Sequence, residues 1–335
     1  MNSIIEYIWI DGQHNLRSKA RTMKHICKNP YDLKVIDIPE WNYDGSSTEQ
    51  ADGENSEVIL KPCAIYKCPF REGNNYLVLC ETYNTDNKSL KNNYRVKANE
   101  IFNSKLDEEP WYGIEQEFFM IDMNTKQPLN IKNLNLKGKH YCGIGINYKT
   151  RKIMDEMYDA CLYSNLDISG INAEVAEGQW EYQIGPVCGI NASDQLLISR
   201  YIIQRIAEKY DVLIDFQPKP ILGDVNGSGC HTNFSTKTMR QENGLDIIQQ
   251  AIKKLSKKHE EHMDVYGENN HLRMTGTCET SSYDIFSYGV GSRTSSIRIP
   301  TSTFNNKCGY FEDRRPSSNM NPYLVTSKLF ETCCL

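Results

Sequence analysis

The 335 residues carry 38 Lys and Arg against 43 Asp and Glu, a net charge of −5, with 24% charged and 39% hydrophobic residues. That length holds one large domain or two ordinary ones with ample core, and the acidic balance excludes a basic nucleic-acid footprint, so no nucleic-acid partner is expected. No uninterrupted apolar run approaches the ~18 residues of a membrane span, and the N-terminus MNSIIEYIWIDGQ lacks a basic region followed by a long apolar one, so neither a membrane partner nor a signal peptide is expected.

Residues 4–83 read as strands: IIEYIWI, LKVIDIPEW, EVILKPCAIY and NYLVLCETY are short β-rich runs broken by Gly, Pro and Asn. The polar stretch 84–99 marks a boundary. WYGIEQEFFM, residues 111–120, predicts a buried strand. Apolar residues at helical spacing predict helices over about 147–166, 191–210 and 243–266, the second capped by Ser193-Asp194. GQWEYQIG, VLIDFQPK and CHTNFST are strands among them, and the last fifth is turn-rich with little periodicity. The expected organisation is an all-β unit over 1–90 and a larger α+β unit over 91–335. Twelve scattered cysteines without a C-x-x-C pair fit reduced, mostly buried thiols in a cytoplasmic protein.

Within WYGIEQEFFM, Glu115 and Glu117 are two apart, and strand alternation points both to one face. Desolvated like charges that close are costly unless a cation or a shared proton compensates them. Glu174 and Glu181 sit among apolar neighbours in INAEVAEGQWEYQIG, His231 follows the Gly-rich turn GDVNGSG, and Glu312 lies in GYFEDRRP. Five carboxylates and one imidazole suit Mg²⁺ or Mn²⁺ better than a thiolate zinc site, and such a set without a protein nucleophile points to phosphoryl transfer. Arg273, Arg293, Arg298, Arg314 and Arg315 crowd the last third, where guanidinium groups can hold carboxylates and phosphates. KKHEEHM is not H-E-x-x-H, so His259 and His262 are expected on a solvated helix face. GDVNGSG is not a Walker A loop; it is either a turn or a place where backbone approaches a ligand.

WNYDGSSTEQADGENSEVIL, EPWYGIEQE, SGINAEVAEGQWEYQIGP, GDVNGSGCHTNFST, LRMTG and GYFEDRRPSSN, in that order, resemble the signatures of the eukaryotic-type (type II) glutamine synthetases over nearly the whole chain. The resemblance implies an α+β fold: an N-terminal β-grasp domain, then a catalytic domain with a curved antiparallel sheet flanked by helices. It implies ATP-dependent ligation of ammonia to the γ-carboxylate of L-glutamate via γ-glutamyl phosphate. By similarity Glu117, Glu174 and Glu181 hold one cation and Glu115, His231 and Glu312 the other. Arg293 and Arg298 neutralise the transferring phosphoryl group, while Asn226, Gly227, Arg273, Arg298, Arg314 and Glu312 hold the amino acid. Trp111, Glu115, Glu181, Tyr182, Gly185, Pro186, Asn233, Phe234, Ser235, Arg293 and Arg298 match the nucleotide-binding positions. Glu279 matches the loop glutamate that takes a proton from ammonium, and Asp44 and Ser46 match ammonium-side residues that a neighbouring subunit supplies. The family's assembly implies a homodecamer of two five-membered rings.

The chain departs from the family at Cys278, where His is usual, at Ser292 for Asn and at Thr301 for Arg. It also starts close to the first strand, without the usual helical segment that helps subunit packing. Two other functions stay open on the residues: a catalytically silent relative, and a γ-glutamyl–polyamine ligase of the same fold.

Overall fold

The computed structural model describes residues 2–24, 33–71, 73–129, 140–146, 148–223, 225–278 and 280–335. The chain forms two compact units, one of residues 1–100 with 160–166 and one of 101–159 with 167–335.

The first unit holds β1 (Asn2–Ile10), β2 (Leu16–Lys24), β3 (Trp41–Asp44), β4 (Glu57–Lys67) and β5 (Tyr76–Asn84) in a sheet of order β2-β1-β5-β4-β3. All neighbours are antiparallel except β1 and β5, which run parallel. Alternation along β1 sends Ile5, Tyr7 and Trp9 into one core with Leu60, Val78 and Trp41. This mixed sheet agrees with the expected β-grasp. Strand β2 was not among the expected runs: LRSKARTMK is an exposed edge whose basic residues leave no apolar alternation to read. LKVIDIPEW, expected as a strand, instead turns through a 3₁₀ segment at Val35–Asp37, and pairing begins only at Trp41. Leu33 and Ile38 are buried there without a ladder, so their apolar character is a packing signal.

The remaining elements follow as α1 (Tyr94–Asn103), β6 (Trp111–Asp122), α2 (Tyr148–Tyr163), β7 (Ile168–Ala173), β8 (Gln179–Cys188), α3 (Ile190–Glu208), β9 (Val212–Asp215) and β10 (Cys230–Ser235). After these come α4 (Gly244–Lys257), α5 (His259–Met263), β11 (Tyr288–Val290), β12 (Ile297–Ile299), α6 (Thr301–Asn306), β13 (Phe311–Asp313) and α7 (Pro322–Cys334). The strands form a sheet of order β11-β12-β13-β10-β6-β8-β7, with β9 also paired to β6. It is antiparallel as expected, except for the parallel pair β11 and β12 at one edge. Helix α3 packs on β6, β8 and β9.

Three local expectations change. Ser193 and Asp194 do not cap α3, which starts at Ile190; both are buried, with Asp194 accepting from the Tyr323 hydroxyl at 2.6 Å and Ser193 donating to the Pro322 carbonyl at 3.1 Å. The stretch 243–266 is two helices, broken at Lys258. Helix α7 lies in the segment expected to be turn-rich, although its start was readable. Asn321 caps the amides of Tyr323 and Leu324, and Pro322 sits at the first helical position. No disulfide is formed among the described cysteines, but only Cys68, Cys80, Cys161 and Cys230 are buried.

Candidate active site

Strand β6 is the axis of the site. Its pleat buries Tyr112, Ile114, Gln116 and Phe118 on one face and turns Gly113, Glu115 and Glu117 to the other. Pairing then sets the neighbours. Glu115 stands opposite His231 of β10, Asn233 stands opposite Glu312 of β13, and Glu117 stands opposite Glu181 of β8. Asn172 of β7 also faces Glu181, which brings Glu174, just past the end of β7, to the same corner. Two triads result, Glu115/His231/Glu312 and Glu117/Glu174/Glu181, each with one donor atom per residue lying mutually within 4.8 Å.

Burial dominates the electrostatics. It raises the proton affinity of Glu117, which the neighbouring Glu174 raises further, to a pKa of about 8. Glu181 is pushed well above the carboxylate range by burial and then by Glu115, Glu117 and Glu174, and burial also raises Glu115. His231 is held well below its ordinary range by burial and by the Arg314 guanidinium, so its imidazole is neutral with a lone pair to offer.

Hydrogen bonds aim the carboxylates. Glu117 accepts from the Gly229 amide at 2.7 Å, Glu174 from Asn172 at 2.9 Å, Glu115 from Asn233 at 2.8 Å, and Glu181 from Gln183. Arg314 donates to Glu312 at 2.6 Å and Arg298 at 3.4 Å.

A cleft of about 380 Å³ opens over this face. Both triads line it, together with Asn226, Gly227, Arg273, Arg293, Arg298 and Arg314. Sequence reading missed Asn172, Gln179 and Gln183 in its wall. Asn172 and Gln183 lie two residues from Glu174 and Glu181, so the alternation that paired Glu115 with Glu117 would have found them. Tyr141 and Thr280 carried no such signal. Cys278, at φ 49°, also lines the cleft; Glu279 lies outside the described residues.

The Gly-rich turn proves to be a matter of room. A Cβ at Gly227 would stand 2.6 Å from Arg273 Cγ, and one at Gly229 would stand 2.8 Å from His231 Nε2. These glycines let Arg273 and His231 reach the site. Arg273 is buried, with its pKa lowered to about 10 by burial, and donates to the Arg315 carbonyl at 2.8 Å and to Asn270 at 3.1 Å.

Other expected positions lie elsewhere. The Tyr182 and Phe234 side chains are fully buried, Tyr182 bonding Ser199 and Phe234 packing between Tyr112 and Phe311, so neither ring faces the cleft. Ser235 accepts from Arg240, whose guanidinium lies 4.0 Å over the half-exposed Trp111 ring. Gly185 is buried and Pro186 exposed on β8. Asp44 and Ser46 belong to the first unit; Asp44 accepts from the Ser46 amide at 3.0 Å and hydroxyl at 2.6 Å, which lowers its pKa.

Arg315 faces away from the cleft and pairs with Asp313. His259 and His262 are not on a solvated face. Both are buried, His262 bonding Tyr266 at 2.6 Å and Thr332 at 2.9 Å, and His259 bonding Arg315 at 3.0 Å and the Tyr283 carbonyl at 2.9 Å. Lys257 of that stretch is exposed and Lys258 partly so, while its histidines are buried, which residue type alone could not separate.

Five carboxylates and a neutral imidazole, without a thiolate among them, fit hard divalent cations. The buried Arg298 Nε has no partner, which suits an anionic ligand in the same cleft.

Residues 2–85 match the family model described as "Glutamine synthetase, beta-Grasp domain", and residues 95–264 match "Glutamine synthetase, catalytic domain". A glutamine synthetase of Saccharomyces cerevisiae is 50% identical over 334 residues, covering 99% of this chain and 89% of the relative. A glutamine synthetase cytosolic isozyme of Oryza sativa is 51% identical over 336 residues, covering 98% and 93%. Among solved structures, "Apo GmaS without ligand" superposes with a TM-score of 0.78 at 17% identity, covering 98% of this chain and 76% of that one, a likeness of fold. With both family models matched in order and about half the residues identical to the yeast and rice enzymes over nearly the whole of this chain, it belongs to the glutamine synthetase family.

Proposed function

We propose that this cleft is where the chain joins ammonia to the γ-carboxylate of L-glutamate, with cleavage of ATP, to give glutamine, ADP and phosphate. The observation that carries the reading is the pair of acidic triads on one sheet face with four arginines in the same cleft. Mg²⁺ or Mn²⁺, when bound, draws charge from the nucleotide phosphates and the transferring phosphoryl group. Glu117, Glu174 and Glu181 hold one cation and Glu115, His231 and Glu312 the other.

A carboxylate is a poor electrophile, so the γ-carboxylate of glutamate is first phosphorylated to γ-glutamyl phosphate and ammonia then displaces phosphate. Arg293 and Arg298 face the phosphoryl charge. Arg273 and Arg314 hold the carboxylate end of glutamate, and Asn226 with Gly227 its amino end. Tyr182 and Phe234 contribute through their backbone, as their rings belong to the core. Glu279 takes the proton that ammonium gives up. The N-terminal domain, 1–90, brings Asp44 and Ser46; the bonds from Ser46 favour the ionised Asp44, which suits it to attract ammonium.

The test follows ADP release with glutamate and ATP in the presence of ammonia, a polyamine, or no amine. Release that requires ammonia is expected. Release that requires the polyamine would reassign the chain to the polyamine ligases, and none under any condition would make it a silent relative.

The assembly reading is a ring of subunits joined head to tail, two five-membered rings making a homodecamer in the cytoplasm, with Asp44 completing a neighbour's site. No helix among the described residues is long and apolar enough to cross a membrane. Two inactive variants, Asp44→Ala and Glu117→Gln, unfolded together and refolded, are expected to regain activity. With random mixing at equal input, about a quarter of the interfaces pair two intact halves. Mixed oligomers no more active than either parent would mean that each subunit works alone.

A further inference from the structure

The face of β6 turned away from the cleft carries a second set of contacts, built around one buried guanidinium. Gln116 is fully buried there and accepts from Arg200 Nε at 2.8 Å. Its Nε2 donates to the Glu117 carbonyl at 2.8 Å and to the Ser318 hydroxyl at 2.9 Å. Ser318 Oγ donates in turn to the Glu117 carbonyl at 2.5 Å. Arg200, on α3, completes the set by donating to the carbonyls of Ser318 and Met320, each at 2.9 Å.

One guanidinium therefore ties β6, which carries Glu115 and Glu117, to the segment just past β13, which carries Glu312. The chain between is held as well. Ser318 N donates to the Ser228 carbonyl at 3.1 Å, and Gly229, whose carbonyl and amide bond the Glu117 amide and carboxylate, bridges to Ser317.

The acceptors around Arg200 are all neutral. A buried cation costs free energy unless its surroundings are specifically arranged for it, and Arg can direct several N–H groups at fixed angles where Lys cannot. Strands β6 and β13 do not pair; β10 lies between them. Without the clamp, the relative placement of Glu115 and Glu117 against Glu312 would rest on β10 and on the bonds of Ser228 and Gly229 just before it.

We infer that Arg200, acting through Gln116 and Ser318, is a positioning residue that sets the separation of the two cation triads. This inference rests on the two-cation reading of the cleft. Residues that would hold two cations for one phosphate chain must keep a fixed spacing, and a misplacement of about 1 Å can cost ~10²-fold in rate.

The test counts bound Mn²⁺ by electron paramagnetic resonance on the full chain and records the spin coupling between the two ions. Arg200→Lys keeps the charge and loses the fork; it is expected to weaken Mn²⁺ binding roughly 10-fold and to alter the coupling. Ser318→Ala should shift both readouts the same way by less, and Ser318→Thr, which keeps a hydroxyl, should restore them. A folded Arg200→Lys chain with the wild-type isotherm and coupling overturns the inference. If that variant does not fold, unchanged readouts in Ser318→Ala overturn it instead. A wild-type chain that binds fewer than two Mn²⁺ overturns the two-cation reading itself, and the clamp with it.

Discussion

Glu117→Gln is expected to lower ammonia-dependent turnover by about 10²–10⁴-fold, the weight of the ~3–5 kcal/mol lost when a buried charge partner is removed. Its amide oxygen can still accept from Gly229, so local hydrogen bonding survives while the negative charge does not. Stability should move the other way from activity when no cation is present. The native Glu117 holds a proton up to about pH 8, whereas an ordinary carboxyl releases it near 4.5. The folded state then binds more protons than the unfolded one, so the metal-free chain loses stability as pH rises through that window. Removing the ionisable group removes this slope. Thermal unfolding at several pH values, with and without Mn²⁺, checks the point. Wild type should gain midpoint from Mn²⁺ and the variant much less. Equal gains in both chains would sink the assignment of Glu117 as a ligand.

Breaking the pair on the reverse face of β13 should have the largest effect on stability. Asp313 and Arg315 are both fully buried, with Arg315 donating to Asp313 at 2.7 and 2.9 Å and Tyr266 donating to it at 2.7 Å. Removing the carboxylate strands a buried guanidinium, so Asp313→Asn is expected to cost ~3–5 kcal/mol in urea unfolding. Arg315→Met should cost a similar amount. The double variant Asp313→Leu with Arg315→Met should lie nearer wild type than either single one, because no charge is left without a partner. Arg315 keeps the native Asp313 carboxyl below its ordinary 3.8 despite burial. The stabilisation is therefore present above that value and fades as pH falls through the lowered one. Single variants within about 0.5 kcal/mol of wild type, the range of a surface substitution, would refute the claim.

The two faces of β13 and of the residues just past it do different work. Glu312 and Arg314 line the cleft, while Asp313 and Arg315 anchor the strand from behind. That division follows the period of two, but the sequence FEDRRP does not say which face is wet. Five arginines in the last third were legible as one anion-binding set. Only the tertiary structure sorted four to the cleft and one, Arg315, to the core.

Local rules were sufficient where the chemistry is local. Two glutamates two apart in a strand must share a face, and the ordered motifs around them carried the family, the reaction and the six candidate donors. The grouping of those donors came from the family resemblance, and the geometry arrived at the same two triads through strand register. Turn and helix-end chemistry was legible at Asn321-Pro322 and went unread because apolar periodicity there was weak.

Contacts between elements far apart in the chain were a different matter. His259 and His262 looked like part of a lysine-rich solvated face, and they are buried because Thr332 of α7, Tyr283 and Arg315 close over them. GDVNGSG read as either a turn or a place where backbone approaches a ligand, and its Gly227 and Gly229 leave the space that Arg273, more than forty residues later, needs beside His231. Gln116, between Glu115 and Glu117 in the sequence, is buried behind them and accepts from Arg200 of α3. The residue types and their local spacing named the chemistry, because a strand's pleat and a motif's order act over a few residues. Which groups face the cleft and which lock it from behind was decided only by tertiary packing, since burial depends on partners that no local pattern encodes.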